Sequence, residues 1–162
     1  MTARPGQREL VQTVLRDPVH WPAFGFGLGL MPRAPGTFGS LLGVPLWWLT
    51  GGDVAVQAAV AVAALAFGVW VCGESARRIG VHDHGGIVWD EVVGMYLTLL
   101  VVPAEPRWIL AAFVLFRLMD IWKPWPIREL DHRLHGGLGI MLDDVVAAVF
   151  AAILLLFFRF LL

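Results

Sequence analysis

The chain has 162 residues, 58% of them hydrophobic and 15% charged, with a formal net charge of −1 and a mean hydropathy of +0.72. Soluble domains carry about 25% charged residues, so this composition excludes an ordinary soluble globule and points into the membrane. The near-neutral charge excludes the basic surface that nucleic acid requires, and the lone Cys72 excludes an internal disulfide.

Residues 7–16 (QRELVQTVLR) read as a short amphipathic helix stopped by Asp17-Pro18. No apolar h-region accompanies Arg4, Arg8 and Arg16, so no signal peptide is expected. Trp21, Phe24 and Phe26 suit the membrane interface, where aromatic rings collect. Residues 25–40 (GFGLGLMPRAPGTFGS) read as a Gly/Pro loop, with Thr37 as the N-cap of a first apolar helix over 37–50. That helix is shorter than the roughly 20 residues a bilayer needs and is expected to half-span. After the turn Gly51-Gly52-Asp53, residues 54–72 form a transmembrane helix broken in polarity only by Gln57. A polar loop over 74–90 leads into a helix from about Ile87 to just before Pro103, and 108–122 returns. Lys123-Pro124-Trp125-Pro126 breaks that helix, a polar segment follows, and Gly136-Gly137-Leu138-Gly139 reads as a flexible loop before a last span over 145–162. The fold expected is one all-α domain over residues 1–162: an integral membrane helical bundle of about four or five apolar helices, some short or half-spanning. Its polar loops lie on one face.

Positive charge orients the bundle. If all five apolar segments cross, Arg4, Arg8, Arg16, Arg33, Arg77, Arg78, Lys123, Arg128 and Arg133 share one side, while Arg107 and Arg159 lie on the other. Lysine and arginine stay cytoplasmic, so the three polar stretches face the cytoplasm and can build one site.

Three clusters carry chemistry. In the first, Arg33, Thr37 and Ser40 stand at a helix start, where free amides, hydroxyls and a guanidinium suit phosphate; a plain turn and cap is the alternative. In the second, Asp90 and Glu91 head an apolar helix. Acids there suit the helix dipole, yet a charge drawn toward an apolar phase costs several kcal/mol, and a hard cation relieves that. Carboxylate ligands favour magnesium or manganese over the zinc that His82 and His84 would suggest. In the third, Asp143 and Asp144 repeat the doublet. The two doublets on one membrane face form a divalent-metal site, with Arg117, Lys123 and Arg128 as phosphate clamps. Arg117 and Asp120, three apart, are alternatively an intramembrane ion pair.

Two rivals remain. Cys72 and Arg78 fit the C-x5-R spacing of cysteine phosphatases, whose loop cradles phosphate over a thiolate. A transporter would use the acids as an ion path, but a path needs ionisable groups at several depths, and here they gather at one face.

The blocks GLGLMPRAPGTFGSLLGVPLWW, DHGGIVWDEVVGMYLT and FRLMDIWKPWPIRELDHRLHGGLGIMLDDVVAA resemble, in order, the three signature blocks of the phosphatidylglycerophosphatase A family, from about Gly25 to Ala148. Leu28 stands where the family often has serine, and Met119-Asp120 replaces an aromatic-Asp pair. The resemblance implies a mostly helical, magnesium-dependent phosphatase of the bacterial inner membrane, multi-pass, with its site facing the cytoplasm. It would convert phosphatidylglycerophosphate to phosphatidylglycerol, the lipid tails staying in the bilayer. Implied roles are magnesium ligation by Asp90, Glu91, Asp143 and Asp144, and phosphoryl stabilisation by Arg117, Lys123, Arg128 and the Thr37 amide region. Asp120 or Asp131 would serve as acid or base, with water attack and a phospho-aspartyl intermediate both open. Nothing in the sequence sets the oligomeric state.

Overall fold

The computed structural model describes residues 6–81, 84–125 and 136–161. The described residues form seven α-helices: α1 (Gln7–Arg16), α2 (His20–Ala23), α3 (Pro35–Leu49), α4 (Val54–Ile79), α5 (Trp89–Leu99), α6 (Pro106–Trp122) and α7 (Gly136–Leu161). A short 3-10 turn, Gly25–Leu30, separates α2 from α3. The helix bounds follow local chemistry. Asp53 accepts hydrogen bonds from the amides of Ala55 and Val56, capping α4, and Gly80 in the left-handed region ends it. Pro35 and Pro106 sit in the first turns of α3 and α6, where a missing N–H costs nothing.

Helices α3 to α7 are the apolar ones, and α4 and α7 are long and apolar enough to cross a bilayer, with mean hydropathies of 2.2 and 2.5. The expectation of four or five apolar helices therefore holds for their number, while two rather than four or five have full spanning length. At 1.5 Å per residue, the 15, 11 and 17 residues of α3, α5 and α6 make about 22, 16 and 26 Å, short of a hydrocarbon core of about 30 Å. Only 22% of the most apolar stretch of α4 is buried inside the protein. Val62 and Trp70 on α4, Leu110, Leu118 and Ile121 on α6, and Ile153, Phe157 and Phe160 on α7 remain exposed. Apolar faces uncovered on this scale belong against lipid, and the protein is a membrane protein.

The shortest apolar helix is the central one. α5 packs against α3, α4, α6 and α7, and Val92, Val93, Met95, Tyr96 and Leu99 are buried on all sides. It is fastened to α4 by two side chains: Trp89 Nε1 donates to the Ala64 carbonyl at 3.1 Å and the Tyr96 hydroxyl to the Gln57 carbonyl at 3.1 Å. α1 matches its expected bounds, whereas other expectations change: α4 continues to Ile79, through residues expected at the start of the polar loop over 74–90. The N-cap of α3 is Ala34, in the left-handed region at φ 49, so Thr37 lies inside the first turn rather than at the cap. α7 begins at Gly136, not near residue 145. A Cβ on Gly137 would collide with the Val69 carbonyl and lie 2.8 Å from the Gly73 amide. The glycines there act as a close crossing point for α4 and α7, a use of small residues typical of membrane helices.

Candidate active site

Chain direction alternates through the bundle, so the starts of α3, α5 and α7 and the ends of α4 and α6 meet at one end. Asp90 and Glu91 enter from the first turn of α5, Asp144 from the third turn of α7, and Arg117 and Asp120 from the last turns of α6. One carboxylate oxygen from each of Asp90, Glu91 and Asp144 lies within 4.8 Å of the other two. Asp144 is 2% exposed, and its Oδ2, together with Glu91 Oε2, is buried with no hydrogen-bond donor among the described residues. Asp120 lies close enough to Asp144 for the two carboxyls to act on each other. Three acids drawn together in an apolar bundle repel one another, and each buried charge costs several kcal/mol unless compensated.

Among the described residues, one arginine supplies part of that compensation. Arg117 lies 2.6 Å from Asp120 Oδ2 and 4.0 Å from Glu91 Oε1, and Nη1 donates to Ser40 Oγ at 3.3 Å. Its Nε is buried without an acceptor among the described residues. The ion-pair alternative for Arg117 and Asp120 is thus present in the structure, inside the site rather than instead of it. Ser40 is fully buried and also donates to the Gly36 carbonyl at 2.8 Å, so its hydroxyl joins α3 to Arg117. Gly36 was not singled out by the sequence: its backbone rests directly on the Glu91 carboxylate, and a Cβ there would overlap Oε1. The Pro35-Gly36 pair reads as a turn in sequence, and only the packing of α3 on α5 reveals the contact.

The remaining candidates fall around this centre. Asp143 is not in the three-acid group; its Oδ2 pairs with Lys123 Nζ at 2.6 Å. Lys123 closes α6 in the left-handed region at φ 44, a position that favours glycine. Asp143 and Asp144 lie within α7 rather than ahead of it, because the helix begins at Gly136. Arg33 is exposed and Thr37 partly exposed beside the α3 start. Arg128 and Asp131 lie outside the described residues.

Cys72 is fully buried on α4 next to the Asp90 backbone. Arg78 is on the same continuous helix and pairs with Asp17 and Glu74 at 2.6 and 2.7 Å. A cysteine-phosphatase cradle needs a loop between those two residues, and here there is a helix.

Carboxylates with orphaned buried oxygens, set against a guanidinium at one end of a lipid-exposed helical bundle, define a membrane enzyme equipped for phosphate-ester chemistry. The phosphatidylglycerophosphatase A family model matches residues 21–159. Phosphatidylglycerophosphatase A of Escherichia coli K12 is 45% identical over 161 residues, covering 97% of this chain and 94% of that protein. Phosphatidylglycerophosphatase A of Haemophilus influenzae is 48% identical over 142 residues, covering 86% and 87%. The chain belongs to the phosphatidylglycerophosphatase A family and is a phosphoric monoester hydrolase. No solved structure matches it.

Proposed function

We propose that this protein hydrolyses the terminal phosphate of phosphatidylglycerophosphate to give phosphatidylglycerol and inorganic phosphate, with magnesium held by Asp90, Glu91 and Asp144. The observation carrying the metal assignment is the convergence of those three acids within 4.8 Å, with oxygens of Glu91 and Asp144 buried and unpartnered. An all-oxygen, all-carboxylate set suits magnesium, which avoids soft ligands. When bound, magnesium supplies positive charge at the phosphate oxygens and polarises water. Arg117 holds the phosphate and stabilises charge developing on it in the transition state, oriented by Asp120 and Ser40. Asp120, between Arg117 and Asp144, is the described acid placed to accept a proton from attacking water. The water oxygen bonds to phosphorus as the phosphorus–oxygen ester bond breaks, and the proton taken from the water passes to the leaving glycerol oxygen. Asp143 acts through Lys123, whose ammonium it holds beside the site. Asp131 and Arg128 keep the acid/base and clamp roles that the family resemblance implies for them.

The reading places the site on the cytoplasmic face of a bacterial inner membrane. Arg16, Arg33, Arg77, Arg78 and Lys123 gather at that end of the bundle and Arg107 and Arg159 at the other, which supports this orientation. The protein is multi-pass in this arrangement: α4 and α7 span, and α3, α5 and α6 fill the bundle between them. The lipid tails remain in the bilayer while the headgroup reaches the carboxylates.

Phosphate release from phosphatidylglycerophosphate by the purified protein tests the proposal. Turnover is expected to vanish in EDTA and to return with magnesium, with zinc a poor substitute. Full turnover after exhaustive chelation overturns the metal assignment, and no release under any metal condition overturns the activity.

A further inference from the structure

The opposite end of the bundle carries a second concavity that the hydrolytic site does not use. A pocket of about 290 Å³ lies between the first turn of α6 and the last turns of α7, lined by Arg107, Trp108, Ala111 and Arg159. Its polar groups are donors. Arg159 uses Nη1 on the Val101 carbonyl, just past the end of α5, at 3.2 Å. Arg107 uses Nε on Glu105 at 2.7 Å. No other hydrogen bond or ion pair engages either guanidinium among the described residues, so most of their N–H groups are open. No described acceptor takes the Trp108 indole N–H. The start of α6 adds the positive end of a helix dipole.

We infer that this pocket binds the phosphodiester headgroup of an anionic phospholipid from the membrane leaflet opposite the active site. Arg159 lies near the end of a 26-residue helix. At about 39 Å that helix is longer than a hydrocarbon core of about 30 Å, which lets its far end, with the long Arg159 side chain, reach toward the headgroups. Trp108 adds an aromatic ring of the kind that settles there. Two guanidiniums with open N–H groups complement a phosphate and its net negative charge, and basic pockets between membrane helices take anionic headgroups by this chemistry. A zwitterionic headgroup has no net negative charge to offer the two arginines and is disfavoured. The neighbouring exposed Phe157, Phe158 and Phe160 offer apolar surface for the acyl chains.

The test is thermal stability of the purified full chain in detergent, titrated with phosphatidylserine, phosphatidylcholine or inorganic phosphate. Phosphatidylserine is anionic but is neither substrate nor product of the proposed reaction, so binding at the carboxylate site does not imitate the result. Phosphatidylserine is expected to raise Tm saturably, with little effect from the other two. Arg107→Gln/Arg159→Gln should weaken that response about tenfold or more, since each open guanidinium contributes charge-assisted hydrogen bonds. Arg16→Gln, a substitution at the other end, should leave it intact. Phosphate release by the double variant from a short-chain substrate should match the parent. Arg107 is exposed, so Arg107→Gln alone reports the same loss if the double variant folds poorly. An equal response to phosphatidylcholine, a response to inorganic phosphate alone, or an unchanged response in Arg107→Gln overturns the assignment.

Discussion

The backbone of Gly36 lies against the Glu91 carboxylate so closely that one added carbon would overlap Oε1 and stand 3.2 Å from Arg117 Nη2. That contact seats the start of α3 on the acids of α5, and it makes the first prediction. Gly36→Ala places a methyl group where it must displace Glu91 or Arg117. Alanine is the better helix former, so a loss cannot come from helix propensity. Overpacking costs about 1–3 kcal/mol, and turnover should fall at least about tenfold as the carboxylate moves. Gly85, with open space around it, provides the control: Gly85→Ala should leave phosphate release and Tm close to the parent.

Asp144→Asn separates ligand from scaffold. The side chain is buried among Asp90, Asp120 and Asp143, with Oδ2 lacking a donor. Removing one negative charge relieves repulsion, so Tm measured without metal should be unchanged or higher. Turnover should drop by about 10² or more, because the charge acts where phosphate is stabilised. A purely structural Asp144 gives the reverse: reduced Tm with activity retained.

Cys72→Ser should retain most of the activity. The thiol is buried at the wall of the site, and Arg78, its partner in the C-x5-R spacing, is committed to Asp17 and Glu74. A folded but inactive serine variant would make the thiol a nucleophile after all.

Acid should loosen the N-terminal helices. His20 Nδ1 is 2.8 Å from Ser75 Oγ on α4, and burial lowers its pKa below the usual 6.5 despite Asp17 nearby. Its contribution is therefore complete above about 6.5 and lost as pH falls below that value. Asp17, held low first by its hydrogen bond to Arg78, adds a second loss once pH falls below the normal carboxylate range. Amide exchange in α1 and α2 should accelerate between pH 7.5 and pH 5 relative to α5. In His20→Gln, which cannot charge, the acceleration over this range should shrink.

The sequence alone determined most of the elements and the end of the molecule where chemistry occurs. Apolar runs too greasy for water must become membrane helices, and proline, glycine and aspartate mark their ends because they alter backbone donors, φ or capping. The acidic doublets were visible because charge beside a long apolar run is costly without a partner. Sequence could not assign the members of the Asp143-Asp144 doublet. Neighbouring residues on a helix point about 100° apart, so Asp144 turns toward Asp90 and Glu91 while Asp143 turns toward Lys123. Which of the two faces inward depends on how α7 is rotated against α4 and α5. That rotation is set by the close approach of Gly137 to Val69 and Gly73, a contact between segments more than sixty positions apart. A long separation in sequence likewise hid the contact of Gly36 with Glu91, and the glycines that local propensity assigned to loops became helix because tertiary packing rewards the absence of a side chain there.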